Sequence, residues 1–185
     1  MLVWFIHLML RYPGAMSYDN WEQLKYYYGL MKYTTAQPIF HTWLFGSFIR
    51  IGIKLGGPNV GLFLFVLMQS LIMSAVLAWT LELMKRWNTA SWIRKLTFAV
   101  YCVAPYFAGY AAFPIKDYLY TAFLVLLVCL MAEWMILRGQ FWQHIGKNVL
   151  WIVGTTLMIL CRKNGIYLYF VVATVVLVQM GLHKM

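Results

Sequence analysis

Asp19 and Glu22 stand in the segment RYPGAMSYDNWEQ, and Asp117 stands beside Lys116 in the turn PIKD. These three are more than half of the five carboxylates in the chain. Arg162 and Asn164 fall in RKNGIY, and His41 falls in QPIFHTW. Where charge is this scarce, opposite charges at the breaks between apolar runs point to chemistry at a polar rim. A carboxylate can take a proton from an attacking hydroxyl, and nearby cations can stabilise a departing phosphate. Asp19 and Glu22 are three residues apart, one helical turn, and can share a face. No GxSxG, HExxH, Walker loop or GxGxxG occurs, and the four histidines form no metal spacing.

Each candidate also has a structural role to weigh. Asp19 with Glu22 fits a helix N-cap and its capping-box partner. Lys and Arg at the ends of apolar runs commonly snorkel to an interface, and Lys163 fits that role better than a chemical one. His41 suits a structural hydrogen bonder as well as a base. Glu82 is expected to pair with Lys85 or Arg86, and Glu133 with Arg138. Cys102, Cys129 and Cys161 lie in apolar runs without CxxC spacing and read as packing residues.

The elements that must position these residues are apolar. The chain is 63% hydrophobic and 11% charged, with a mean hydropathy of +0.71, whereas soluble domains average about 25% charged. The composition predicts an all-α membrane protein, because in lipid each backbone amide must be bonded within its own segment. The formal charge of +10 falls at the ends of and between the apolar runs. It therefore reads as membrane-lipid anchoring, with no nucleic acid as partner.

Taken in order, residues 1–10 are too short to cross a bilayer and read as a truncated first span or a gene fragment. Residues 20–32 are a short helix, and residues 38–56 form an interfacial helix that Pro38 opens. Val60–Leu83, Leu96–Phe113, Tyr118–Leu137, Asn148–Cys161 (borrowing from its flanks) and Ile166–Leu182 are the further spans, with His183 and Lys184 after the last. The expected architecture is one transmembrane domain over residues 1–185, a polytopic helical bundle of about six spans with interfacial helices in the first outer loop. Alternation puts the loops at 11–58, 114–117 and 162–165 on one side. The denser Lys and Arg of 84–95 and 138–147 put those two loops in the cytoplasm.

YPGAMSYDNWEQ, QPIFHTW, the PIKD turn opening a span, and RKNGIY, in that order, resemble the membrane-embedded GT-C glycosyltransferases. The likeness is to bacterial multi-pass members related to the protein mannosyltransferase and lipid A aminoarabinose transferase group. The resemblance implies an N-terminal catalytic portion of a longer protein in the bacterial cytoplasmic membrane, with its active site facing outward. The implied donor is a polyprenyl-phosphate-linked sugar, and the acceptor is a glycan, lipid or protein. It also implies Asp19 as catalytic base or metal-linked acid, which leaves room for a divalent cation and makes no cofactor certain. Asp117 would be the second catalytic acid, and Lys116 and Arg162 would hold the lipid phosphate, with Asn164, Glu22 and His41 completing the substrate-binding set. The alternative class is a small non-catalytic membrane protein, transporter-like, flippase-like or accessory. That reading requires Gln69, Ser70, Ser74, Thr155 and Thr156 to line a polar path.

Overall fold

A computed structural model describes residues 1–182, and among them the chain is all-helical without strands. The helices are α1 (Leu2–Leu10), α2 (Tyr18–Tyr27), α3 (Ile39–Leu55), α4 (Pro58–Arg86), α5 (Ser91–Val103), α6 (Pro105–Ala111), α7 (Lys116–Leu137), α8 (Ile145–Cys161) and α9 (Gly165–Leu182). A 3₁₀ segment, Arg138–Gln143, joins α7 to α8. Two helices, α4 and α7, are long and apolar enough to cross a membrane; α8 and α9 are apolar but shorter.

Several boundaries differ from the sequence expectation for identifiable reasons. Leu96–Phe113 is not one helix: Ala104 is extended (φ −62°, ψ 119°), as expected for a residue before proline, and Pro105 starts a new helix. The cap of α2 is Ser17 with Asn20 rather than Asp19 with Glu22, so the first two acids are not occupied by capping. That helix also ends at Tyr27, before the expected residue 32. Glu82 does pair with Arg86, at 3.5 Å. Glu133 is held by Arg86 at 2.5 Å and by Lys147; the side chain of Arg138, its expected partner, lies outside the described residues, as do His183 and Lys184.

Side-chain contacts fix the relative directions of the helices. Tyr12 packs at a tilt against Phe63 while Met1 reaches Ser74, so α1 runs antiparallel to α4. Gln69 bonds to the carbonyl of Phe113, and Arg86 bonds to Glu133, so α4 and α7 run the same way. Lys147 meets Glu133 and Arg162 meets Asp117, so α8 returns antiparallel to α7. The turns at 114–117 and 162–165 and the start of α2 therefore gather at one end of the bundle.

α3 folds back along the first half of α4, with Phe45 and Phe48 against Phe65. Two glycines make this possible: a Cβ on Gly52 would lie 2.0 Å from the Gly61 nitrogen, so only bare backbone fits. The core runs from Trp4 and Leu8 of α1 through Phe45, Phe65 and Val66 to Leu119, Leu127 and Leu130 of α7 and Met158 of α8.

Candidate functional site

The placement of Asp19 begins with the turn before it. Gly14 takes φ +114°, and the Ala15 amide donates to the Ala112 carbonyl at 2.9 Å. A side chain at Gly14 would be strained by that φ and crowd the same carbonyl, at 2.9 Å. Asn20, fully buried, accepts from the Ser17 amide and hydroxyl, each at 2.8 Å, and donates to the Pro114 carbonyl at 2.5 Å. The first turn of α2 is thus fastened to the turn that opens α7. Asp19 then faces Lys116, with Nζ 3.1 Å from Oδ2.

Lys116 also donates to Gln37 Oε1 at 2.7 Å. An ammonium can only donate, so this bond fixes which end of the Gln37 amide is oxygen. Gln23 Nε2 donates to the same oxygen at 3.2 Å, and Gln37 Nε2 reaches Glu22 more weakly, at 3.5 Å. The Gln23 oxygen is left facing His41 Nδ1 at 3.1 Å, so Nδ1 carries the proton. Burial, and then the charge of Lys116, lower His41 from 6.5 to about 3, so the ring is neutral. Its Nε2 is buried without a partner, and the ring meets the edge of Phe65.

A second pair lies alongside: Arg162 donates to Asp117 Oδ1 at 2.9 Å, and its guanidinium stands 5.8 Å from the centre of the Tyr120 ring. Both partners are nearly half exposed, so the pair contributes only about 0–1 kcal/mol to stability. Between the two pairs opens a cavity of about 480 Å³. Lys116, Arg162, Lys163 and Asn164 line it together with Gln37, and Ile39, Phe40, Ile159 and Leu160 form its apolar wall. No carboxylate lines it, although Asp19 and Asp117 stand just behind two of its three cations.

Of the residues singled out from the sequence, Asp19, Lys116, Asp117, Arg162 and Asn164 meet at this rim. Glu22 joins through Gln37, and His41 sits one layer below, linked to Lys116 only through Gln23 and Gln37. Lys163, read as a snorkelling residue, is on the cavity wall. Sequence reasoning missed Gln37, Gln23 and Asn20. The available signals were a glutamine just before Pro38 and another one turn beyond Asp19 on α2.

A divalent cation does not fit this donor set. Among the described residues no three His, Cys, Asp or Glu side chains cluster to hold a metal, and the Asp19 and Asp117 carboxylates each face a cation already.

Residues 31–184 match the model of DUF6020, a family described as being of unknown function. No curated protein and no solved structure matches the chain.

Proposed function

Since the chain belongs to the DUF6020 family, whose description assigns no activity, we propose a function from the site itself. It transfers a glycosyl group from a lipid-phosphate-linked sugar to a hydroxyl acceptor at the rim of a membrane-embedded bundle of about six spans, on the outward face. The observation that carries this reading is the cavity described above. Three cations line it, one wall is apolar enough for a lipid tail, and a carboxylate stands 3.1 Å from the Lys116 ammonium. An anionic head on a hydrocarbon chain matches both halves of that lining.

The residues divide the work as follows. Lys116 and Arg162 bind the phosphate oxygens, with Lys163 and Asn164 at the mouth. A phosphate that draws Lys116 toward the cavity releases Asp19, which then accepts the proton of the acceptor hydroxyl. The hydroxyl oxygen bonds to the anomeric carbon as the bond from that carbon to the phosphate oxygen breaks, and the electron pair leaves with the lipid phosphate, inverting the centre. Lys116 and Arg162 stabilise the charge that builds there. Gln37 and Gln23, backed by neutral His41, hold Lys116 beside Asp19 until the phosphate arrives.

The transporter-like alternative is less well supported. Ser70 and Ser74 bond to carbonyls of their own helix, as do Thr155 and Thr156, and Gln69 caps the carbonyls at Ala111 and Phe113. The hydroxyls and the Gln69 amide nitrogen are thus bonded to backbone, and only the Gln69 oxygen is left without a partner.

The test uses the full chain in lipid with polyprenyl phosphate and its hexosyl ester. Wild type is expected to bind polyprenyl phosphate, with Lys116→Met and Arg162→Met each weakening it about tenfold, the loss of one charge-assisted contact. Asp19→Asn is expected to bind normally and to transfer nothing. Full transfer by Asp19→Asn, or no binding of polyprenyl phosphate by wild type, would overturn the proposal. Cysteines at positions 19, 117 and 162 should all be labelled from the outer face.

A further inference from the structure

The other end of the bundle carries a second cationic cavity, unrelated to the first. The last turns of α4 and the start of α5 enclose a groove of about 420 Å³ lined by Leu81, Glu82, Lys85, Ser91, Arg94 and Lys95, with Ala78 and Phe98 at its apolar floor. Three cations face one carboxylate, and that carboxylate is already held by Arg86 at 3.5 Å. Lys85 and Lys95 are exposed. Arg94 is partly buried between them, with its side chain on the groove wall. Three cations against one already paired carboxylate leave the groove with an excess of positive charge that an anion would balance.

The helix bordering this groove is two-sided. Ser91, Arg94, Lys95 and Phe98 recur at three- and four-residue steps on the groove face. Trp92, Leu96, Val100 and Val103 form the next stripe, and all four are exposed, from 47% to 78%. No residue of α5 is buried in the protein. A cationic groove flanked by an exposed apolar stripe, with a tryptophan at the helix start and at the charged end of a candidate span, matches the headgroup and acyl region of a lipid leaflet.

We propose that the α4–α5 groove binds the headgroup phosphate of an anionic phospholipid, whose acyl chain lies along the Trp92–Leu96–Val100–Val103 stripe. The Arg94 guanidinium donates to a phosphate oxygen, and Lys85 and Lys95 flank it. Phosphatidylcholine presents the same phosphate but carries a choline cation toward Lys85 and Lys95, so the groove selects against it.

The experiment is native mass spectrometry of the full chain released from micelles containing equal phosphatidylglycerol and phosphatidylcholine. Wild type should retain phosphatidylglycerol preferentially. Each neutralisation, Arg94→Gln or Lys95→Gln, should lower retention about fivefold, the worth of one basic residue near an anionic surface. Lys95→Arg should restore it, and raising the salt should weaken it in wild type. At matched ionic strength, inorganic phosphate in place of chloride should not displace the lipid. Equal retention of the two lipids overturns the proposal, as does undiminished retention by both Gln variants. Salt-independent binding overturns it without any variant that must fold, and displacement by inorganic phosphate reassigns the groove to a free anion. The polyprenyl phosphate binding of Lys95→Gln, at the opposite end of the bundle, should be unchanged.

Discussion

Replacing Gly52 by alanine should separate α3 from α4 and thereby dismantle the site about three turns away. A Cβ at this position falls 2.0 Å from the Gly61 nitrogen and 2.3 Å from its Cα, where ordinary contact begins at 3.4 Å. The helices must move apart by the difference, 3.4 − 2.0 = 1.4 Å at the crossing, because the obstruction is backbone and no side chain can swing away. A gap of about 1 Å forfeits a quarter to a half of each dispersion contact it opens. The contacts affected include Phe45, Phe48 and His41 on Phe65. The expected loss is about 2–4 kcal/mol, at the upper end of what overpacking a core costs. For a chain of this size that is a fall in Tm of roughly 5–15 °C, read by thermal unfolding in detergent. Gly109→Ala is the control: a Cβ there meets nothing within 4 Å, and alanine should gain about 0.5–1 kcal/mol of helix propensity. Polyprenyl phosphate binding should fall in Gly52→Ala and not in Gly109→Ala, because Gln37 and Pro38 lead directly into α3. A Gly52→Ala protein melting within a degree or two of wild type would refute the close packing and the dependence of the site upon it.

His41 should make folding sensitive to acid. Its pKa is depressed to about 3 in the folded protein, so below 6.5 the unfolded chain takes up a proton that the folded chain refuses. The contribution is complete above pH 6.5 and is lost as pH falls toward 3, by at most about 1.4 kcal/mol per pH unit. His41→Phe should flatten that part of a stability profile measured by denaturant unfolding. Glu133, 1% exposed between Arg86 and Lys147, should be destabilised as Glu133→Gln by about 2–3 kcal/mol, since Lys147 then loses its carboxylate while Arg86 keeps only the longer pair with Glu82. Adding Lys147→Met should recover part of the loss in the same thermal assay.

Much of the helical layout is legible from hydropathy, because long apolar runs leave the backbone few alternatives. The rim acids and bases are legible for a related reason: five carboxylates among 185 residues make each one conspicuous. Gln37 is not. An amide has neither charge nor periodicity to mark it, and its partner Lys116 is 79 residues away. The cap of α2 was misassigned because Asp19–Glu22 and Ser17–Asn20 both fit the capping spacing, and only the bond from Asn20 to Pro114, 94 residues on, decides between them. The break in Leu96–Phe113 is written in the sequence as Ala104–Pro105, but uninterrupted hydropathy on both sides concealed it. The Gly52–Gly61 crossing depends on which faces meet, information that composition does not contain.

The length of α4 has a consequence for where the site stands. Its 29 residues extend about 43 Å, beyond the roughly 30 Å of a bilayer's hydrocarbon layer. If α4 crosses as the proposed function requires, counting about 20 residues back from Arg86 puts the far edge of that layer near Val66, about one turn beyond Gln69, which holds the Phe113 carbonyl ahead of the Lys116 turn. The proposed donor can therefore keep its tail in oil while its head meets Lys116 at the waterline. A thicker leaflet would submerge Lys116 and Asp19 and press them onto each other, whereas a thinner one would flood the gap between them. On the proposed placement, acyl-chain length would therefore tune the site without a change to any residue.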